Sequence, residues 1–252
     1  MQQPARNLVM LKRLISRLRR EAFLPTPLGM VVGSQYILRD GLYKSILSFA
    51  PGVEGNVLDF GCGSKPYESI FTNATSYVGV DIEVSGHVHQ NSKVDIFYDG
   101  KKLPFPDDHF DAVVSFEVFE HVFNLEEVLR EIRRVLKPDG KLLVTMPFAW
   151  HEHEAPYDFA RYTSYGIRHV LQNGGFEVLE VKKTTTSVLA ICQMFIAYLA
   201  EYVRPRNKVH AKVFQLVLLF PLTALSLLLN RMLPRRYEYF CNSVVFARKG
   251  SA

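Results

Sequence analysis

The chain has 252 residues, 48% of them hydrophobic, and a formal charge of +5. That is enough for one sizeable α/β domain with additions, and with no internal repeat or low-complexity tract it excludes a solenoid or a disordered chain. Its three cysteines, Cys62, Cys192 and Cys241, have no metal-ligand spacing and point to a reducing compartment.

Residues 5–22 read as an amphipathic helix. Leu8, Leu11, Ile15, Leu18 and Ala22 share one face, and Arg6, Lys12, Arg13, Arg17, Arg19 and Arg20 crowd the rest. Such a helix either lies on an anionic membrane surface or docks on a core with its basic face in water. The segment lacks the long apolar core of a secretory signal. Pro25 and Pro27 end it, and Met30–Phe49 is expected to be a helix leading into the first strand.

Asn56–Phe60 is a short apolar run before turn residues and reads as a buried strand. Gly61 and Gly63 then allow a sharp turn and leave no Cβ to keep a ligand from the main chain. Ser64 is placed to cap a following helix. A second strand, Tyr77–Val80, ends in Asp81, which can accept hydrogen bonds from both hydroxyls of a ribose. Strand, glycine turn, helix, strand and acid make a nucleoside-binding unit. It departs from the dinucleotide fingerprint because Pro66 stands where a third glycine belongs, which favours a nucleoside without a pyrophosphate.

Val84–Lys93 is polar and short for a helix; its His87 and His89 read as loop histidines. Val94–Phe97 and Ala112–Phe116 are expected strands, with Glu117, Glu120 and His121 crowding the rim after the second. Leu125–Leu136 is a helix charged on one face, and Lys141–Met146 a fifth strand. The stretch Pro147–Thr163 is dense in aromatic and titratable groups, as a substrate lid is. His151 and His153 with Glu152 and Glu154 have metal-ligating side chains, but no metal is expected here. His153, Asp158 and Arg161 form either a hydrogen-bond network or a substrate contact. Ser164–Asn173 is a helix stopped by Gly174-Gly175, Phe176–Thr184 a sixth strand and Asn242–Lys249 a seventh.

Between those last strands, Thr184–Ala200 and Val213–Asn230 carry no charge, and Arg204, Arg206, Lys208, His210 and Lys212 lie between them. Each run is near the lower limit for spanning a bilayer. If both strands share one sheet, the chain leaves and returns on one side, so a single crossing is excluded. Two crossings would put the basic linker on the far side, against the positive-inside tendency. Pro221 also interrupts the second run. The expectation is helices dipping into one leaflet, or packed on each other and on the N-terminal helix; a subdomain burying a homodimer interface is the plainer alternative.

The chain resembles class I S-adenosylmethionine-dependent methyltransferases, nearest the small-molecule branch called type 11. The glycine turn carries the likeness, with Asp99-Gly100-Lys101-Lys102-Leu103-Pro104-Phe105-Pro106, Phe110-Asp111-Ala112-Val113-Val114-Ser115 and Glu131-Ile132-Arg133-Arg134-Val135-Leu136-Lys137-Pro138-Asp139-Gly140, in the family's order. The lid resembles a run found in a subset of these enzymes. The resemblance covers roughly residues 55–180 and implies a seven-stranded, mostly parallel Rossmann-like sheet with its last strand antiparallel, to which the residue patterns add an N-terminal basic helix and a helical insertion. The expected domains are 1–48, then 49–184 with 237–252 as the cofactor domain, and 185–236. The implied cofactor is S-adenosylmethionine, held by Asp59, Gly61, Gly63, Asp81, Ile82, Asp99, Leu103 and Glu117, with Tyr36, Arg39 and Tyr43 as further candidates upstream. His121 and His153 are the candidate bases, since a hydroxyl acceptor must lose its proton. His151, Asp158, Arg161 and Tyr162 are candidate substrate residues. The expected function is O-methylation of a saccharide or lipid-linked small-molecule acceptor at the inner face of the cell membrane, with peripheral contact through 5–22 and 185–236. The alternatives are an RNA methyltransferase, suggested by the charge, and a non-catalytic membrane adaptor. No nucleic-acid partner is expected: no RNA module is visible, and Ser115-Phe116-Glu117-Val118 stands where amino-nitrogen methylation needs Asn/Asp-Pro-Pro-Tyr.

Overall fold

A computed structural model of the chain describes residues 18, 20–83 and 92–251. The expected helix at 5–22 and the crossover carrying His87 and His89 fall almost wholly outside the described residues. The helices are α1 (Gly29–Val32), α2 (Tyr36–Phe49), α3 (Leu125–Val135), α4 (Ser164–Asn173), α5 (Ser187–Tyr198), α6 (Lys208–Phe214) and α7 (Phe220–Met232). The strands are β1 (Gly55–Phe60), β2 (Ala74–Ile82), β3 (Ile96–Tyr98), β4 (Phe110–Phe116), β5 (Leu136–Pro147), β6 (Phe176–Lys183) and β7 (Asn242–Lys249). They divide into two compact units, one built from the chain up to Tyr43 with Thr185–Tyr239, the other from 44–184 with 240–251.

The second unit is a seven-stranded sheet in the order β3-β2-β1-β4-β5-β7-β6. β7 runs antiparallel to β5 and β6, and the remaining pairings are parallel. This is the Rossmann-like methyltransferase sheet. The chain winds outward from β1 through β2 to β3, then returns to the other side of β1 as β4. The strand order reverses there, which opens a crevice outside the carboxyl ends of β1 and β4. Leu58, Val113, Leu142, Val144 and Val245 are fully buried in the sheet, as continuous apolar strands covered on both faces require. In α3, Leu125, Leu129, Ile132 and Val135 are buried at helical spacing. Its Glu126 and Glu127 in the first turn and Arg133 and Arg134 in the last complement the helix dipole.

In the first unit Ile37, Ile196 and Leu219 form a small core, with Tyr36, Leu189, Phe214 and Leu222 against it. The buried Gln193 donates to the Ser34 carbonyl at 2.9 Å and accepts from the Leu38 N–H at 3.3 Å, tying α5 to the start of α2. The two charge-free runs do pack on each other: the Thr186 hydroxyl donates to Asn230 Oδ1 at 2.5 Å, across α5 and α7. Pro221 does not interrupt the second run. Lys208–Met232 is one continuous helix of 25 residues. A widened turn at Gln215–Leu219 precedes the proline, whose missing N–H it absorbs.

Candidate active site

The glycine turn closes β1 over β2. Gly61 and Cys62 donate to the Val80 carbonyl at 2.9 and 3.2 Å, and Lys65 N–H donates to Cys62 O at 2.8 Å. No helix follows Ser64. A single 3-10 turn, Glu68–Ile70, stands there, because Ala74 already opens β2 and Pro66 removes an N–H from the short connection. Tyr67 is buried and meets the Phe116 ring edge-on at 4.8 Å, which anchors the connection beside β4.

The two glycines are needed for different reasons. Gly61 has φ +70°, and a Cβ there would stand 2.5 Å from Val118 Cγ2. Gly63 has φ +47° and, among the described residues, nothing within 4 Å of where its Cβ would be. So Gly61 lets two strand ends meet, and Gly63 borders open space that a side chain would fill. Asp81 faces that space from β2. Its Oδ2 accepts from Gly63 N–H at 3.0 Å and its Oδ1 from Ile82 N–H at 2.9 Å. A half-exposed carboxylate fixed by two main-chain donors beside a bare glycine fits the ribose of a nucleoside.

Other predicted residues lie elsewhere. Asp59 is buried beneath the turn, where its Oδ2 accepts from the Tyr77 hydroxyl at 2.8 Å. Burial pushes its pKa up to about 7, with the Tyr77 hydrogen bond and Lys65 only partly opposing. A carboxyl that protonates more readily folded than unfolded contributes most at low pH and loses that contribution as pH rises towards 7. The cost above pH 7 is on the order of 4 kcal/mol. Thermal unfolding of Asp59→Asn against the parent should therefore show a Tm difference moving in the variant's favour between about pH 4 and pH 7 and flattening above. A difference independent of pH would contradict the assignment.

Asp99 is fully exposed after β3, and its Oδ1 caps its own loop by accepting from Lys101 and Lys102 N–H at 2.9 and 3.4 Å. Leu103 is in the core, not on the crevice. Its N–H donates to Glu131 Oε2 at 2.9 Å, and Arg134 donates to the Leu103 and Phe105 carbonyls at 3.0 and 2.8 Å. The Leu-Pro-Phe loop and the end of α3 are thus one clamp, closed by the Glu131–Arg134 ion pair at 2.8 Å. Tyr36 and Arg39 belong to the helical unit, Tyr36 against its core and Arg39 over the Phe23 ring at 4.9 Å.

Glu117 follows β4 directly, with φ +57°, a strained backbone for a non-glycine residue. Its Oε1 accepts from the Thr145 hydroxyl at 2.7 Å and its Oε2 from Asn242 Nδ2 at 2.6 Å. Strands β4, β5 and β7 therefore fix one carboxylate. Asn242 had no sequence signal, since antiparallel pairing brings it from the far side of the insertion.

The lid is organised by Arg161. Its Nη1 and Nη2 donate to Asp158 Oδ1 and Oδ2 at 2.5 and 2.7 Å. The remaining N–H groups reach the carbonyls of Trp150, His151 and Ala160 at 3.4, 3.0 and 2.8 Å. All five donors have acceptors within the lid. Asp158 Oδ2 also accepts from His153 N–H at 2.9 Å, and the Arg161 hydrogen bonds hold the Asp158 pKa down at about 2 against burial. His121 and His153 come together, ring centroids 4.8 Å apart, and the His151 ring lies tilted beside Trp150 at 4.8 Å. Burial and the neighbouring His121 lower the His153 pKa, so its imidazole is neutral at pH 7. Tyr162 packs against the core. A cavity of about 670 Å³ lined by Asp107, Arg130, Arg134, Gly174 and Lys249 opens at the amino-terminal edge of β4 and β6, the opposite end of the sheet.

A glycine turn and a fixed carboxylate at the switch point of this sheet, with paired imidazoles where the segment 147–163 meets the rim after β4, suit a Rossmann-like domain. Residues 34–181 match the family described as Methyltransferase domain, and the chain belongs to that family. Its cofactor is S-adenosylmethionine. The Ubiquinone/menaquinone biosynthesis C-methyltransferase UbiE of Pseudomonas fluorescens (strain Pf0-1) is 45% identical over 65 residues, 26% of this chain and 23% of that protein. A protein of Mycolicibacterium smegmatis named "Probable S-adenosylmethionine-dependent methyltransferase" is 29% identical over 134 residues, 49% of this chain and 52% of that one. The matches thus span from under a quarter to about half of these relatives' own lengths. The solved structure of Phosphoethanolamine N-methyltransferase 2 from Haemonchus contortus, bound to phosphomonomethylethanolamine and S-adenosylhomocysteine, shares the fold. It has a TM-score of 0.51 at 17% identity, covering 92% of this chain and 59% of that one.

Proposed function

We propose that the chain transfers a methyl group from S-adenosylmethionine to an oxygen of a saccharide or lipid-linked acceptor at the surface of the cell membrane's inner face. The observation that carries the membrane part is Lys208–Met232. It is long and apolar enough to cross a bilayer, yet only 17% of its most apolar window is buried. Val209, Val213, Val217, Leu225, Leu228 and Met232 along it are exposed. An apolar surface of that extent beside the basic Arg204–Lys212 segment suits an anionic lipid face. Because β6 and β7 are neighbours in one sheet, that helix crossing alone would leave β7 on the wrong side, so the reading is a helix lying in one leaflet.

When bound, S-adenosylmethionine supplies a methyl made electrophilic by its sulfonium. Gly63 and Asp81 hold the nucleoside, and Glu117 faces the crevice mouth from β4. The lid excludes water and brings the acceptor oxygen in line. With the cofactor bound, His121 or His153 would take the proton that the acceptor hydroxyl loses.

The test is transfer of labelled methyl into total lipid, saccharide and RNA fractions. Label in the lipid-linked fraction, increased by anionic vesicles and lost in Gly63→Leu, is expected. Label confined to RNA, or a rate indifferent to vesicles, would overturn the acceptor or the membrane part respectively.

A further inference from the structure

We propose that Glu120, His121 and His153 bind a divalent transition-metal ion of the zinc class. Among the described residues these three bring one ligand atom each to within 4.8 Å of one another. The trio joins two separate pieces of chain, the short helical turn Phe119–His121 and the lid.

Glu120 gives the first independent reason. It is completely buried, and among the described residues neither carboxylate oxygen has a hydrogen-bond partner. A buried carboxylate without donors is costly unless a proton or a cation neutralises it. The nearest guanidinium, Arg161, has spent its five donors inside the lid.

The imidazoles give the second. His121 Nδ1 lies 2.6 Å from the Tyr157 carbonyl oxygen, which can only accept, so Nδ1 carries the proton and Nε2 presents a lone pair. That Nε2 stands 3.8 Å from Glu120 Oε1 and 3.7 Å from Glu154 Oε2. Both distances are too long for a hydrogen bond. They are close to the roughly 3.4 Å that separates two ligands about 2.1 Å from a shared tetrahedral ion. His153 Nδ1 is engaged by the lid pair, 3.3 Å from Asp158 Oδ2 and 3.4 Å from Arg161 Nη2, so an ion would meet its Nε2. A carbonyl behind one imidazole and a carboxylate behind the other is the outer shell that orients metal-bound histidines. Two imidazoles and a carboxylate are the donor set of open zinc sites, with Glu154 as a fourth ligand or a position left for substrate.

The site goes beyond methyl transfer and does not depend on it. Where both hold, the imidazoles serve as ligands and the ion, in place of a histidine, lowers the pKa of the acceptor hydroxyl.

The test is titration of the untagged full chain with cobalt(II), a spectroscopic stand-in for zinc, followed by visible absorption and thermal unfolding. The expected result is one equivalent bound with bands of an imidazole-coordinated ion and a raised Tm. Glu120→Gln and His153→Ala should each weaken binding at least about tenfold. Glu120→Gln is nearly isosteric, so it carries the test if His153→Ala fails to fold. S-adenosylhomocysteine affinity, measured alongside, should stay unchanged in both; its absence in the parent would count against the methyltransferase reading and leave this one standing. No cobalt binding, or binding equal in parent and variants through other surface histidines, overturns the proposal.

Discussion

Gly63→Leu is expected to weaken S-adenosylhomocysteine binding by at least about a hundredfold, roughly 2.7 kcal/mol, while leaving the fold standing. The space beside Gly63 is open, so a Cβ there meets no atom of the described residues, and a longer side chain projects towards the volume assigned to the nucleoside. The cost to the fold is the left-handed backbone alone, about 1–2 kcal/mol. Gly61→Ala should behave differently. Its Cβ would stand 2.5 and 2.7 Å from the two Val118 methyls as well as carrying φ +70°. Overpacking and backbone strain together come to about 3 kcal/mol, or a Tm lower by about 6–12 °C. Calorimetric titration and thermal unfolding of both variants separate the roles. Unchanged affinity in Gly63→Leu would show that the ligand does not lie over the turn.

Arg161→Ala is expected to lower turnover at least about a hundredfold while S-adenosylhomocysteine binding stays near the parent value. The variant leaves Asp158, 5% exposed, without its bidentate partner. Removing one member of a buried pair costs about 3–5 kcal/mol, all of it falling on 148–163. Hydrogen exchange should show those residues losing protection while the sheet keeps its own. Arg161→Lys should restore little, since one ammonium cannot reach Asp158 and three carbonyls together. The pH dependence has a fixed sign. A carboxylate whose pKa falls to about 2 on folding contributes fully above the ordinary aspartate range and loses that contribution as pH falls towards 2. Lid protection should thus persist at pH 5 and fail near pH 2. Equal protection in parent and variant would contradict the keystone role of Arg161.

Much of the sheet was legible because its signals are local. Gly61, Gly63 and Asp81 carry chemistry in their spacing, and the seven strands follow from apolar runs between turn residues. The pattern Leu103-Pro104-Phe105 with Glu131 and Arg134 was legible as a likeness, but its physical reason, a carbonyl clamp at the end of α3, needed coordinates. Three things were out of reach. Ser64 has the chemistry of a helix cap, and only the early start of β2 removes the helix. Asn242 steadies Glu117 through a strand pairing that no local pattern announces. Glu120 looks like one more rim acid in the sequence, and its complete burial emerges only when the lid backbone donates to its carbonyl, from Phe159 N–H at 2.8 Å and Ala160 N–H at 3.3 Å. Pro221 failed as a breaker for a related reason, since a wide turn one residue upstream lets the helix continue.

The most direct measurement is a crystal structure of the chain with S-adenosylhomocysteine. The account predicts the ribose hydroxyls within about 3 Å of the Asp81 oxygens, the amino-acid portion over Gly63, and the sulfur turned towards Glu117 and the lid. A ligand bound at the amino-terminal edge of the sheet, or an Asp81 that touches only Gly63 and Ile82 in the complex, would contradict it.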